Sequence, residues 1–520
     1  MLKAYGKMHN LKPNPMKIKE LILLLVGLAG STGLHATNYY VANGGSNANS
    51  GLSAAEAFIT IQHAVGLIAA GDTVFVADGT YAGFDVRDVS GTPAAPIVFR
   101  ATGTQALINQ SGPIRNDGIN VENADHIVID GFICNNMPGN GNGIRVVLGD
   151  HCVVRNNSCD NNAERGIFTA FTDDILIEFN TCTNSIDEHG IYVSNSSDRP
   201  IIRYNTCYGN NNIGIHMNGD LSAGGDGIIS DAQVYGNIIF DNNLAAGINM
   251  DGVENPVVYN NLIYNNHSAQ GIALFQQDGA IPSRGAKIYN NTIIVPDDGR
   301  WGILVKAGSN VGTEIYNNII INQHAWRGCI AAENIEQFSS DYNLLNDKLS
   351  ATGDGSTVPL SEWQGLGLDE HSLLVDDPEN VFADPGGQDF QLKAGSPAID
   401  RGTDAVQSVV AIDLSGNARP QGAAFDIGAY EFPATVGTQH PLAGHLRVFP
   451  NPARKSFTLE TDADLGPVRL LLLRDATGRP VRAYSFFKRQ YDLDGLEAGF
   501  YLLEIRTDHE QPILRKILVQ

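Results

Sequence analysis

Apolar residues alternate with polar or aromatic ones in short runs, and the runs begin repeatedly with the pair Gly-Ile. That pair stands at Gly118, Gly143, Gly166, Gly190, Gly214, Gly247, Gly271 and Gly302, at intervals of 23 to 33 residues. After most of these glycines the apolar set falls on alternate positions: Ile119/Val121, Ile144/Val146, Ile191/Val193, Ile215/Met217, Ile248/Met250, Ile272/Leu274 and Ile303/Val305. A period of two marks a strand, since a helix would space its apolar face by three and four. A second series runs in phase with the first: Asn157, Asn180, Asn205, Asn237, Asn261, Asn291 and Asn318, each followed two residues later by Cys or Ile. Two phased motifs per period predict one repeating coil whose strands stack on their own copies about 4.8 Å away, with no room for crossover helices. The expected fold is all-β, a right-handed parallel β-helix. Gly and Asn are expected at turns that need positive φ, and the Asn series as a buried amide ladder.

The cysteines share this register. Cys159, Cys182 and Cys207 occupy the column that later coils fill with Ile239, Ile263, Ile293 and Ile320, and Cys134 precedes them by one period. Six cysteines in an exported chain would allow disulfides. Replacement of Ile in register instead predicts buried thiols acting as small hydrophobes.

Composition narrows the partners. With 520 residues and a formal net charge of -23, the chain is a poor ligand for nucleic acid or an anionic membrane. An acidic polysaccharide is disfavoured too, unless local Arg, Lys or a bound cation reverses the field. Residues 1–36 read as a signal peptide: Lys17 and Lys19 precede the apolar run LILLLVGLAG, and Leu34-His35-Ala36 makes an A-x-A-like cleavage site. No later segment has the run of about 18 apolar residues that a transmembrane helix needs. A monomer is expected.

Three stretches carry resemblances. YYVANGGSNANSGLSAAEAFITIQHAVGLIAAGDTVFVADGTY (39–81) resembles the opening of exported pectin-lyase-like β-helix proteins, in which a short amphipathic helix caps the solenoid. FQLKAGSPAIDRG (390–402) and DLSGNARPQGAAFDIGAYEF (413–432) resemble the closing segment called choice-of-anchor Q. After the linker at 434–445, residues 446–520 are similar to the C-terminal sorting domain of the type IX secretion system of Bacteroidetes-like Gram-negative bacteria, through Pro450-Asn451-Pro452 and Gly499-Phe500-Tyr501. These resemblances imply a β-helix domain over 37–433, a small C-terminal β-sandwich, partnership with the type IX machinery, and a secreted or surface-attached protein. They imply a polysaccharide substrate without fixing an activity, because this fold hosts lyases, hydrolases, epimerases and adhesins.

Strand alternation places the candidate site. The second and fourth residues after each glycine point outward, so Phe168, Tyr192, His216 and Asn249 form one ladder beside Ser194, Asn218 and Asp251. The turn before glycine adds Glu164-Arg165, Asp187-Glu188-His189 and Arg300-Trp301, and Phe275, Gln276 and Lys306 flank the patch. Two chain extensions, GDLSAGGDGIISD and QQDGAIPSRG, are expected to loop out as walls.

β-Elimination of a uronate needs a carboxylate neutraliser, a base for the α proton and an acid for the leaving oxygen. His189, Tyr192, His216 and Asp251 are the catalytic candidates. Substrate binding falls to Arg165, Phe168, Asn218, Asn249, Phe275, Gln276, Arg300, Trp301 and Lys306. Ca²⁺ is an expectation resting on Asp220, Asp226 and Asp278; no organic cofactor is expected. A polysaccharide lyase is the first reading. The alternatives are a glycoside hydrolase using paired carboxylates, such as Asp251 with Asp220, Asp278 or Glu188, and a non-catalytic glycan-binding adhesin.

Overall fold

The computed structural model describes residues 36–352, 355–433 and, towards the C-terminus, 446–461, 470–474, 480–484, 491–493, 495–506 and 513–519. The expected signal peptide, apart from Ala36, and the linker lie outside them.

Three long parallel sheets form a right-handed β-helix. The first sheet has 12 strands, from Asn38–Val41 to Phe338–Asp341; the second has 11, from Phe84–Arg87 to Leu349–Ser350; the third has 12, from Gly79–Ala82 to Leu373–Leu374. Each coil gives one strand to each sheet, and inward residues stack into one continuous core. A five-residue helix, Ile61–Val65, packs Ile61 and Ala64 against its first coils. The expected solenoid is present, with Ile144, Ile167, Ile191, Ile215 and Ile248 in successive register.

The Asn ladder is built as expected. Asn205 donates through its backbone N–H and its amide to Asn237 Oδ1 at 3.0 and 3.1 Å, and Asn237 repeats the pattern on Asn261. The ladder runs from Asn157 to Asn343. A second ladder through Asn210, Asn242 and Asn266, absent from the sequence reading, does the same at another corner.

Asn and Gly hold many of the positive-φ turns, as at Asn161, Asn184, Gly209 and Gly236, but not through the two repeating series themselves. In the Asn series it belongs to the preceding position, as at Asn156, Phe179 and Tyr204 (φ 57°, 55° and 55°). The glycines of Gly-Ile lie outside the left-handed region. They are required because a Cβ on Gly143 would stand 2.7 Å from the Gly166 carbonyl oxygen and 2.8 Å from Cys159 Sγ.

All six cysteines are free and buried. Cys134, Cys159, Cys182 and Cys207 pair in register and hand over to Ile239. The thiol column is therefore part of the apolar core, as its exchange with Ile predicts.

The closing segment packs along the outside of the solenoid. Phe382, Phe390, Leu392 and Ile427 cover Tyr264, Ile294 and Ile321 of the third sheet. Asn260, Asn290 and Asn317, held at positive φ, donate amide protons to the carbonyls of Ile412, Asp426 and Thr403. Arg419 and Glu431 form a fully buried ion pair at 2.6 Å, and Arg419 also donates to Asn260. The last segment forms antiparallel sheets of three and four strands over a core including Phe457, Leu473, Leu503 and Ile517.

Candidate active site

The outward ladder of the second sheet stands in the expected order. Phe168 pairs with Tyr192, Tyr192 with His216, and His216 with Asn249; beside them Ser194, Asn218 and Asp251 follow one another. The phenol of Tyr192 stacks on His216 at 4.7 Å and 14°. On the ring's other side stands the Arg165 guanidinium, 5.0 Å from the centroids of both Tyr192 and Phe168. Asn218 donates to the Tyr192 hydroxyl at 3.2 Å. Burial raises the Tyr192 pKa, although Ser194, Asn218 and Arg165 oppose the rise, so the phenol is protonated at neutral pH.

The two imidazoles form a chain whose tautomers follow from its hydrogen bonds. Ile213 N–H donates to His189 Nδ1 at 3.3 Å, which puts the His189 proton on Nε2. That nitrogen lies 3.0 Å from His216 Nδ1. Neutral His216 then carries its proton on Nε2, a buried atom with no hydrogen-bond partner among the described residues. Burial, with help from His216 and Arg165, drives His189 well below the usual histidine range; burial and Arg165 push His216 down to about 3. Both rings are neutral near pH 7. Neither serves as the cationic neutraliser expected of them, and His216 presents a donor rather than a basic lone pair.

Arg165 is the cation of the cluster. It pairs with Glu164 at 3.2 Å and with Glu188 at 2.5 Å, while its Nε is buried without a partner. Burial, reinforced by Glu188 and Asp187 against the pull of Arg165, raises the Glu164 pKa. Glu164, on the adjoining rung, was not among the expected catalytic or binding residues; its only sequence signal was its place directly before Arg165.

Other expected members do different work. Asp251 is buried, and its carboxylate accepts from the backbone N–H groups of Gln277, Asp278 and Gly279 at 2.9, 2.7 and 3.1 Å. It holds the second wall loop in place and is not free for acid–base chemistry, which also removes it from the expected carboxylate pairs. Asn249 is buried in the ladder and Phe275 is half-buried beside Asp251. Gln276 closes its own loop onto Gly279. Lys306 is ion-paired with Glu333. Arg300 and the buried Trp301 lie four rungs away from the strand of Tyr192.

The expected calcium ligands do not converge. Asp220 accepts from Ser222 and Asp226 from the Ile228 N–H, both local turn bonds, while Asp278 approaches Asn218 at 3.5 Å. Among the described residues no three His, Cys, Asp or Glu side chains gather to hold a metal. The facing nitrogens of His189 and His216, 3.0 Å apart, leave no space for an ion between them.

Comparison with known proteins agrees with the fold. Residues 71–266 match the family model described as periplasmic copper-binding protein (NosD), and residues 447–520 match the secretion system C-terminal sorting domain. No curated protein matches the sequence. Pectate lyase Pel9A superposes with a TM-score of 0.53 at 15% identity, over 77% of this chain and 97% of that one. A rhamnogalacturonan lyase gives 0.47 at 14%, over 59% and 87%; an alginate lyase from Paenibacillus sp. str. FPU-7 gives 0.39 at 18%, over 52% and 94%. No helix among the described residues is long and apolar enough to cross a membrane. The sorting domain implies handling by the type IX secretion machinery. The chain is thus a right-handed parallel β-helix protein with a C-terminal sorting domain, exported to the cell surface or the medium.

Proposed function

We propose that the protein is a polysaccharide lyase that cleaves a uronate-containing glycan at the Arg165, Tyr192 and Asn218 cluster. The observation that carries this reading is the setting of Tyr192: its hydroxyl held by Asn218, its ring between a guanidinium and an imidazole. In the reaction the uronate carboxylate displaces Glu188 from Arg165, whose terminal guanidinium nitrogens donate two hydrogen bonds to it. Tyr192, protonated at the start, gives its hydroxyl proton to the leaving oxygen and takes the proton α to the carboxylate, so that it ends as it began. The electron pair left behind forms the carbon–carbon double bond as the bond to the leaving oxygen breaks, and that oxygen departs carrying the proton from Tyr192. Two donors on the carboxylate stabilise the charge that develops there. Neutral His216 keeps the pocket from over-stabilising the ground-state anion.

A second reading, glycoside hydrolysis, is favoured by one observation. Glu164 and Glu188 stand on adjacent rungs in different environments, with Glu164 raised and Glu188 tied to Arg165. A carboxyl group whose pKa is raised, beside a second carboxylate, is the pairing that a general acid and its partner require.

The test is incubation of the full chain with acidic and neutral polysaccharides, following unsaturated-uronate absorbance and reducing ends together. Elimination raises both, and Tyr192→Phe lowers the rate by about 100-fold or more. Reducing ends without absorbance move the chemistry to Glu164 and Glu188. Neither signal on any substrate would sink both readings and leave the non-catalytic adhesin.

A further inference from the structure

The turn before each strand of the second sheet changes character along the solenoid. At the candidate active site it is acidic, carrying Glu164, Asp187 and Glu188 around one arginine. Some rungs later it carries Arg300, Arg327 and Lys348, none of which has a carboxylate within ion-pair distance among the described residues. In a chain of net charge -23, unpaired cations gathered in one place stand out against the general field.

These cations surround an indole. Trp326 is 49% exposed, and its ring lies edge-on to the buried Trp301 at 6.5 Å and to His324 at 5.0 Å. The Arg327 guanidinium sits 4.4 Å from the ring centroid. The platform is braced from below. His324 Nδ1 accepts from the N–H groups of Trp326 and Arg327 at 3.2 and 3.1 Å, Arg327 donates to the Gly299 carbonyl at 3.1 Å, and Lys348 Nζ donates to the His324 carbonyl. Asn322 ties the two turns together through the carbonyls of Arg300 and Gly328. Among the described residues the nearby acids include Asp297, which is exposed, Asp298, which is engaged by His267, and Asp347, which accepts from the Leu360 N–H.

The geometry points to a second glycan subsite here, in which Trp326 stacks on a sugar ring while Arg300, Arg327 and Lys348 take the carboxylate or sulfate of an anionic saccharide. An exposed indole with Arg327 over one face can stack a sugar on its other face, and guanidinium groups are suited to planar anions. The strand following Trp326 is five rungs from that following His189, which at about 4.8 Å per rung is roughly 24 Å along the same face. A chain several sugars long spans both places. The inference rests on the glycan reading above and deepens it by giving the anionic chain a second binding place on the same face. It also supplies the local positive field that an acidic protein needs to hold an acidic chain.

Trp326 fluorescence tests it directly. The full chain is titrated with hexagalacturonate and, separately, with neutral xylohexaose. Hexagalacturonate is expected to quench emission and to bind at least tenfold more weakly to Trp326→Ala and to Arg300→Gln, as measured by calorimetry, with affinity falling as salt rises. The Arg300 side chain is exposed and braces nothing, so that variant keeps the fold. Tyr192→Phe is expected to bind as the parent does, which separates this subsite from the catalytic reading. Equal binding of the neutral hexamer, or hexagalacturonate binding unchanged by both platform variants, would overturn the proposal.

Discussion

The amide ladder from Asn157 to Asn343 and the outward ladder from Phe168 to Asn249 use the same rung-to-rung spacing, but the first repeats one residue and the second changes at every step. In the first, each Oδ1 accepts two bonds from the rung below, and each amide passes its protons to the next rung and to a backbone carbonyl. Nothing is left over. In the second, a phenol meets an imidazole and a guanidinium meets two rings, so atoms such as Arg165 Nε and His216 Nε2 end without partners. A repeated residue satisfies itself; a broken repeat leaves donors unused and buried beside the groove.

The sharpest way to break this comparison is to delete one amide from each ladder. Asn237→Ala removes the acceptor for two Asn205 donors and leaves the carbonyls of Ile202 and Tyr235 short of a partner. With buried groups left unpaired at about 1–3 kcal/mol each, the expected loss is on the order of 3 kcal/mol, read by denaturant unfolding. Asn218→Ala removes the contact to Tyr192, and its expected cost is below about 1 kcal/mol with a large fall in turnover. An equal stability loss in both would show the outward ladder to be ordinary scaffold.

Acidity gives a smaller effect on the same contrast. His189 and His216 have depressed pKa values, so the fold favours their neutral forms. Their contribution is fully present above the ordinary histidine value near 6.5 and is lost as pH falls towards the folded value of about 3 for His216. The melting temperature should therefore decline between pH 7 and pH 4. The opposite sign applies to Asp426, which burial and Glu431 raise to about 7: its contribution is present below about 4 and fades as pH rises through 7. His216→Asn should flatten the acid limb and Asp426→Asn the neutral one. Identical pH profiles for the parent and both variants would contradict the burial of these groups.

How much of this was legible follows the same division. The strands, their register, the amide ladder and the thiol column could be read from the sequence because each repeats, and repetition in a solenoid is structure. The outward ladder was legible because register alone decides which residues become neighbours. The tautomer of His216, the capture of Asp251 by a loop backbone and the two carboxylates on Arg165 were not, since they depend on where side chains end rather than on where strands begin. The platform at Trp326 was hidden for a different reason. Its coil reads Cys329-Ile330 where the earlier coils read Gly-Ile, so the Gly-Ile series ends at Gly302. The role of the repeated glycine was misread for a related reason: spacing shows that a glycine is needed, but only the opposing carbonyl shows whether φ or contact requires it.

The thiol column provides the smallest and most discriminating effect. Cys134, Cys159, Cys182 and Cys207 lie one above another with no disulfide, and burial raises the pKa of Cys134 and Cys182. If the column is only a narrow version of the Ile column that follows it, each sulfur contributes what a buried methyl-sized group contributes. Cys182→Ala should then cost about 1 kcal/mol, and the parent's melting temperature should not move with reductant. Cys182→Ile should cost more than Cys182→Ala, because a column closed around thiols is overpacked by the two extra carbons of a branched side chain. A melting temperature that falls with reductant would instead mean that the thiols cross-link in solution. The reverse order of cost would mean that this end of the solenoid is as wide as the end built from isoleucine.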